Sequence, residues 1–284
     1  MSGQPHKTVV ISGGTDGMGR ATALARLAEG DRVIVIGSSE AKGQALLDQA
    51  GSPDLVFLRA DLSSIAENER IVAHLAESYQ AVDALVLFAN RINPKRRVTA
   101  EGLESTFALY YLSRHLLGQG LRPLLDASPA PVVVNVAGVG RTAGRVNWDD
   151  PQLTEGYSGV RAQLQAARAN DLLGVASADG NSGTARYVLY HPGFTRSGTG
   201  SIENPVLRGT IRLLGRLFAH SVAESVRPVV QWIGHPPEAA LTAVDRGKDV
   251  PLSLKTLDPE DAARLSAYTR TLLARPTHRL GDER

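Results

Sequence analysis

Residues 8–22 read Thr-Val-Val-Ile-Ser-Gly-Gly-Thr-Asp-Gly-Met-Gly-Arg-Ala-Thr, and this stretch decides the fold. A β-rich run, Thr8 to Ile11, meets Gly13, Gly17 and Gly19, and an alanine-rich helical stretch follows. The pattern is a strand, a glycine turn and a helix start. Gly13 permits the tight turn, Gly17 lets the backbone come close to a pyrophosphate, and Gly19 lets helix and strand pack closely. N–H groups at the helix start supply donors for the anion.

The same alternation continues outward. Short β-branched runs at 7–12, 32–37, 54–59, 82–88, 131–137 and 185–190 are separated by helical patterns at 17–29, 40–50, 64–79, 99–126 and 153–178. Strands alternating with helices predict an α/β fold, a Rossmann-like doubly wound parallel sheet. Continuous apolar strands such as Val132-Val133-Val134 suit a sheet buried on both faces. Beyond strand six the sequence predicts helices at 204–219 and 221–234, a connecting region, and a last helix at about 258–274 opened by Asp258. No repeat or linker divides the chain, so a single domain over 1–284 is expected.

Composition narrows the function classes. A formal net charge of +2 over 284 residues gives no nucleic-acid footprint. The absence of cysteine excludes disulfides, thiolate metal sites and a cysteine nucleophile. The seven histidines show no metal-ligand spacing, so no metal is expected. The opening Met-Ser-Gly-Gln-Pro-His-Lys carries no apolar signal region, and no apolar run reaches the ~18 residues of a membrane span. A cytoplasmic protein acting on a small molecule is the expectation.

Further landmarks follow the glycine turn in order: Asp61-Leu62, then Gly102-Leu103-Glu104-x-Thr106-Phe107-Ala108, Asn135-Val136, His191-Pro192-Gly193 and Gly247-Lys248. Together they resemble the short-chain dehydrogenase/reductase superfamily, and within it the retinol-dehydrogenase-like branch. The resemblance implies a core over 1–200, a lid helix over 201–220, and C-terminal helices with a last strand, begun by Gly247-Lys248, over 221–284. It also implies a homo-oligomer built on the helices at 99–126 and 153–178.

The resemblance assigns cofactor contacts to Gly13, Thr15, Gly17, Met18, Gly19, Ser38, Asp61, Leu62, Asn90, Pro192, Gly193 and Ser197. An acidic residue at the position of Ser38 would select NAD, and a basic one NADP(H). Ser38 and Ser39 can donate to a phosphate, which tips the expectation to NADP(H), while Asp16 opposes it by repulsion. Asn90 stands where the family has a glycine and puts a side chain at the nicotinamide end. A turn retained without any cofactor stays open as the alternative.

The family's reaction uses a tyrosine acid/base, a lysine that lowers its pKa, a serine and a helix asparagine. Here the asparagine aligns with Tyr110 and the serine with Gly138. The tyrosine has two registers. One takes Tyr157 with Arg161, a pair sharing one helical face. The other takes Gln163 and Ala167, in Ala162-Gln163-Leu164-Gln165-Ala166-Ala167-Arg168-Ala169-Asn170. The interval from Gln163 to His191 suits one long helix, a turn and a strand, and so does the loop Arg145-Val146-Asn147-Trp148-Asp149-Asp150 before it. Six residues turn a helix by about 240°, so only one register can face the pocket. In the second register all four catalytic positions are replaced.

Tyr110 is then the first proton-donor candidate, set against simple packing beside Tyr111. Arg141 and Arg145 are candidates for holding an anion, and Phe194 for a pocket wall. The stretch 206–218, with Leu207, Ile211, Leu214 and Phe218 opposite Arg208, Arg212 and Arg216, reads as a lid, with a helix lying on a membrane surface as the alternative. Three readings stand: an NADP(H)-dependent reductase without the tyrosine–lysine relay; a non-redox cyclase, isomerase or dehydratase in the same pocket; and a non-catalytic nucleotide-binding or partner-supporting protein.

Overall fold

The computed structural model describes residues 6–179, 183–193 and 222–274. One sheet of eight strands runs in the order β3-β2-β1-β4-β5-β6-β7-β8. These are β1 (Thr8–Ser12), β2 (Arg32–Gly37), β3 (Leu55–Arg59), β4 (Ala84–Leu87), β5 (Val132–Val136), β6 (Arg186–His191), β7 (Leu241–Asp245) and β8 (Lys248–Asp249). The first seven are parallel and β8 closes the edge antiparallel. The chain works outward from β1 to β3 and returns to β4 beside β1, and a crevice opens at that reversal, outside the carboxyl ends of the strands.

Alternate residues of each strand feed two cores. Val10, Ile34, Leu85 and Val133 lie under α3 (Ile65–Ser78), α5 (Ser113–Gly120), α7 (Gly159–Ser177) and α9 (Pro259–Leu273). Val9, Val33, Val86 and Val134 lie under α1 (Gly17–Ala28), α2 (Glu40–Ala50) and α8 (Val222–Gly234). Burial on both faces explains the unbroken apolar strands. The remaining helices are short, α4 (Ser105–Phe107) and α6 (Arg122–Asp126).

Most of the longer helices begin where a side chain can take the free N–H groups. Ser39, Ser64, Ser158 and Asp258 cap α2, α3, α7 and α9. Glu104 caps α4 through the Thr106 and Phe107 amides, at 2.8 and 2.7 Å.

Three expectations are corrected. The helix expected from 99 starts at Ser105, because Gly102 (φ +79°) and the Val98–Glu104 bridge make 99–104 a turn. The helix expected from 153 starts at Gly159, because Asp150 accepts from the Thr154 and Glu155 amides and holds a loop. A seventh parallel strand, β7, occupies the expected connecting region. The last strand expected at Gly247-Lys248 is β8, which begins at Lys248, with Gly247 (φ +76°) and Arg246 (φ +51°) forming the two-residue turn from β7.

Helix α9 covers part of the surface on which self-association was expected. The Tyr111 hydroxyl pairs with Thr269 Oγ1 at 2.7 Å, and Tyr268 meets the Phe107 ring edge-on at 6.2 Å. The expected lid at 201–220, with Phe194 and Ser197, lies outside the described residues. Among the described residues no helix is long and apolar enough to cross a membrane, and no His, Asp and Glu cluster could hold a metal.

Candidate active site

The glycine turn is packed without room for side chains. Gly13 adopts φ +70°, and its amide donates to Ile36 O at 2.8 Å. A Cβ on Gly13 would stand 2.8 Å from the Ala89 nitrogen, and one on Gly19 would collide with the Gly13 carbonyl oxygen. Gly17 adopts φ +52° and opens α1, with Met18 buried behind it. Thr15 supports the end of β2, where a Cβ on Gly37 would stand 2.9 Å from the Thr15 hydroxyl oxygen. Asp16 caps α1 by accepting from the Gly17 amide at 2.7 Å, and Lys42 Nζ pairs with its other oxygen at 2.6 Å. The hydrogen bond from Lys42 holds the Asp16 carboxyl below the usual carboxylate range.

Farther along the crevice, Ser38 follows β2 and its Oγ lies 3.5 Å from Arg91 Nη2, which comes from the loop after β4. Asp61 is exposed and accepts from the Ser63 amide and hydroxyl, while Leu62 is buried in the core. Pro192 is buried after β6, and Gly193 takes φ +85°.

Across the crevice, Asn90 and Gln163 form a reciprocal amide pair. Asn90 Nδ2 donates to Gln163 Oε1 at 3.0 Å, and Gln163 Nε2 donates back to Asn90 Oδ1 at 3.1 Å. Gln163 Nε2 also donates to the Arg91 carbonyl at 2.9 Å. One turn farther along α7, Ala167 faces the loop after β5, where a Cβ on Gly138 would stand 3.1 Å from the Ala167 Cβ.

Tyr110 fills the space beside these small residues, packed with Ala137, Ala166 and Ala167. It lies in a π-helical segment, Ala108–Leu112, between α4 and α5. The Tyr110 carbonyl accepts from Asn170 Nδ2 at 2.7 Å. Among the described residues its hydroxyl has no hydrogen-bond partner. Burial pushes the phenol pKa up, so it is protonated at neutral pH.

Arg114 lies beneath the Tyr110 ring, its guanidinium carbon 4.6 Å from the centroid. It is 1% exposed. Its Nη1 donates to Val136 O at 2.9 Å and to Asn135 Oδ1, and its Nη2 donates to Ala89 O at 3.1 Å. The Ala89 carbonyl lies two residues past β4, one residue before Asn90, and the Val136 carbonyl lies at the end of β5, two before Gly138. Burial lowers the guanidinium pKa to about 10, so the group remains a cation.

The structure therefore brings together Gln163, Asn90, Gly138 and Tyr110. It does not bring Tyr157 to them. Tyr157 precedes α7, and its hydroxyl donates to Asn93 O at 2.8 Å, while Arg161 turns back to Gly156 O at 3.1 Å. Arg141 and Arg145 are exposed. Arg168 holds their loop by donating to Arg141 O at 2.9 Å and pairs with buried Asp171, whose carboxyl is raised by burial to about 7. Arg114 and Arg168 were not singled out in the sequence. On a helix an arginine reads as a solvated residue, and only the run Arg168-Ala169-Asn170-Asp171, polar on more than one face, hinted at a buried network.

Comparison with known proteins agrees with this geometry. The family model described as short chain dehydrogenase matches residues 7–149. Retinol dehydrogenase 14 of Mus musculus is 31% identical over 278 residues, covering 91% of this chain and 83% of its own. A candidate daunorubicin C-13 ketoreductase of Streptomyces sp. (strain C5) is 28% identical over 274 residues, covering 93% and 91%. A solved structure of a candidate short chain dehydrogenase from Escherichia coli CFT073, complexed with NADPH, superposes with a TM-score of 0.62 at 18% identity, covering 85% of this chain and 97% of that one. The crevice, the glycine turn and these likenesses converge: the chain belongs to the short chain dehydrogenase family.

Proposed function

We propose that the protein reduces a polarised double bond of a small organic substrate, with NADP(H) as the reductant and without a tyrosine–lysine relay. The observation that carries this reading is the Tyr110 phenol, buried, protonated and unpartnered among the described residues, beside Gly138 and Ala167. On this reading a pyrophosphate lies at the start of α1, against the close-packed turn around Gly13 and Gly19, and Arg91 beside Ser38 supports a 2′-phosphate beyond the end of β2. The NADPH complex of the related Escherichia coli protein supports the same choice. A bound nicotinamide would supply hydride.

The chain's own residues supply the rest. Opening of the Asn90–Gln163 pair frees amide N–H groups to hold the substrate oxygen as negative charge grows on it. The Arg114 cation below Ala89 and Val136 favours that charge through its field. The Tyr110 hydroxyl gives its proton to the resulting alkoxide or enolate, and solvent reprotonates the phenolate. Gln163 takes no proton because an amide does not titrate near neutral pH.

The test follows NADPH oxidation across a panel of ketones, enones and imines. Substrate-dependent oxidation is expected for one of these classes. None with any class, with NADPH bound, would refute the reading. The reciprocal amide pair favours a second reading, non-redox chemistry with the nicotinamide end closed, which predicts turnover after complete removal of nucleotide.

A further inference from the structure

A cavity of about 30 Å³ lies on the α5 and α7 side of the sheet, away from the crevice, and is lined by Arg114, His115, Arg122, Asp126, Tyr187 and their neighbours. Two buried donors are unspent at it. Arg114 uses both Nη groups on neutral oxygens, and its Nε has no hydrogen-bond partner. The Tyr187 hydroxyl accepts from Asn135 Nδ2 at 2.8 Å, so its own proton has no acceptor among the described residues. No carboxylate pairs with Arg114 among the described residues. Asp126, the carboxylate on the cavity wall, is engaged by the Thr184 amide at 2.8 Å and by Arg122 at 3.5 Å. A buried cation without a counter-charge is costly, and so is an unsatisfied buried donor.

We propose that this cavity binds a small inorganic anion of chloride size, held by Arg114 Nε–H and the Tyr187 hydroxyl. A water would accept from both donors but would leave the Arg114 charge without a counter-ion. A halide accepts only, and it cancels the Arg114 charge as well. The volume admits one such ion. Because Arg114 also holds the Ala89 and Val136 carbonyls, the ion sets how much positive field reaches the floor of the crevice.

The test compares thermal unfolding in sodium gluconate, chloride and bromide at equal ionic strength, and locates bromide by its anomalous scattering in crystals. With halide at 100 times its Kd, the folded-to-unfolded ratio rises about 100-fold over gluconate. A bromide peak is expected within hydrogen-bond reach of Arg114 Nε. Tyr187→Phe keeps the ring and removes one donor; its stability in gluconate drops because Asn135 Nδ2 loses an acceptor, and its halide response, read against its own stability in gluconate, falls several-fold. Equal stability in the three salts, or an anomalous map with no peak at Arg114 Nε, overturns the proposal. The crystallographic arm stands even if the variant does not fold.

Discussion

Gln163→Ala separates two roles of one side chain. On the proposed reading the Asn90–Gln163 pair spans the nicotinamide end of the crevice, so nucleotide binding would include the cost of parting it. The pair contributes two hydrogen bonds, at 3.0 and 3.1 Å, in a crevice open to water. Neutral hydrogen bonds at such sites are each worth about 0.5 kcal/mol net, giving about 1 kcal/mol for the pair. Removing it raises NADPH affinity about 5-fold. Asn90→Ala gives the same gain, and the double variant gains no more than either single one, because the two share one interaction. Calorimetric titration of the four proteins with NADPH reads this directly. The same Gln163→Ala change lowers the catalytic rate, since an oxygen-holding donor is lost. Unchanged or weaker NADPH binding in both single variants would refute the account of the pair.

Three further outcomes follow from other contacts. Asp16→Ala frees the Gly17 amide and removes a negative charge from the pyrophosphate end, so nucleotide affinity rises about 2- to 5-fold in titration, although the lost cap lowers stability by about 1 kcal/mol. Arg91→Ala weakens NADPH binding about tenfold and leaves NADH binding nearly unchanged, if its guanidinium meets the 2′-phosphate. Burial holds the His115 imidazole below its usual pKa, so the unfolded chain binds a proton there first as pH falls through about 6.5. That part of the stability is complete above pH 6.5 and is lost on acidification. His115→Gln therefore unfolds with a smaller stability loss between pH 7 and pH 5, measured by urea titration.

The fold was legible because its signals are local. Gly13, Gly17 and Gly19 mark a turn, and the buried strands announce themselves as apolar runs. β7 was missed because Leu241-Thr242-Ala243-Val244-Asp245 is short and follows a proline pair, with no alternation to distinguish it. The helix starts at Ser105 and Gly159 are not legible because the loops before them are fixed by the Val98–Glu104 bridge and by Asp150, contacts that depend on three-dimensional closure.

At the site, Gln163, Asn90, Gly138 and Tyr110 could be named from aligned positions, but not their mutual contacts. The amide pair links residues on β4's exit and α7, and the Tyr110 environment depends on a π-helical turn that no periodicity reveals. Arg114 was unreadable for another reason. Its sequence neighbours are those of an exposed helix position, and only the packing of β4, β5 and α5 puts it beneath the crevice.

The central claim is that the Tyr110 phenol delivers the proton. The measurement is the NADPH oxidation rate under saturating substrate for wild type and Tyr110→Phe, with NADPH affinity determined for both. A rate loss of about 10²-fold or more at equal NADPH affinity is expected, the usual worth of a positioned proton donor. A Tyr110→Phe protein that turns over at the wild-type rate would contradict the account.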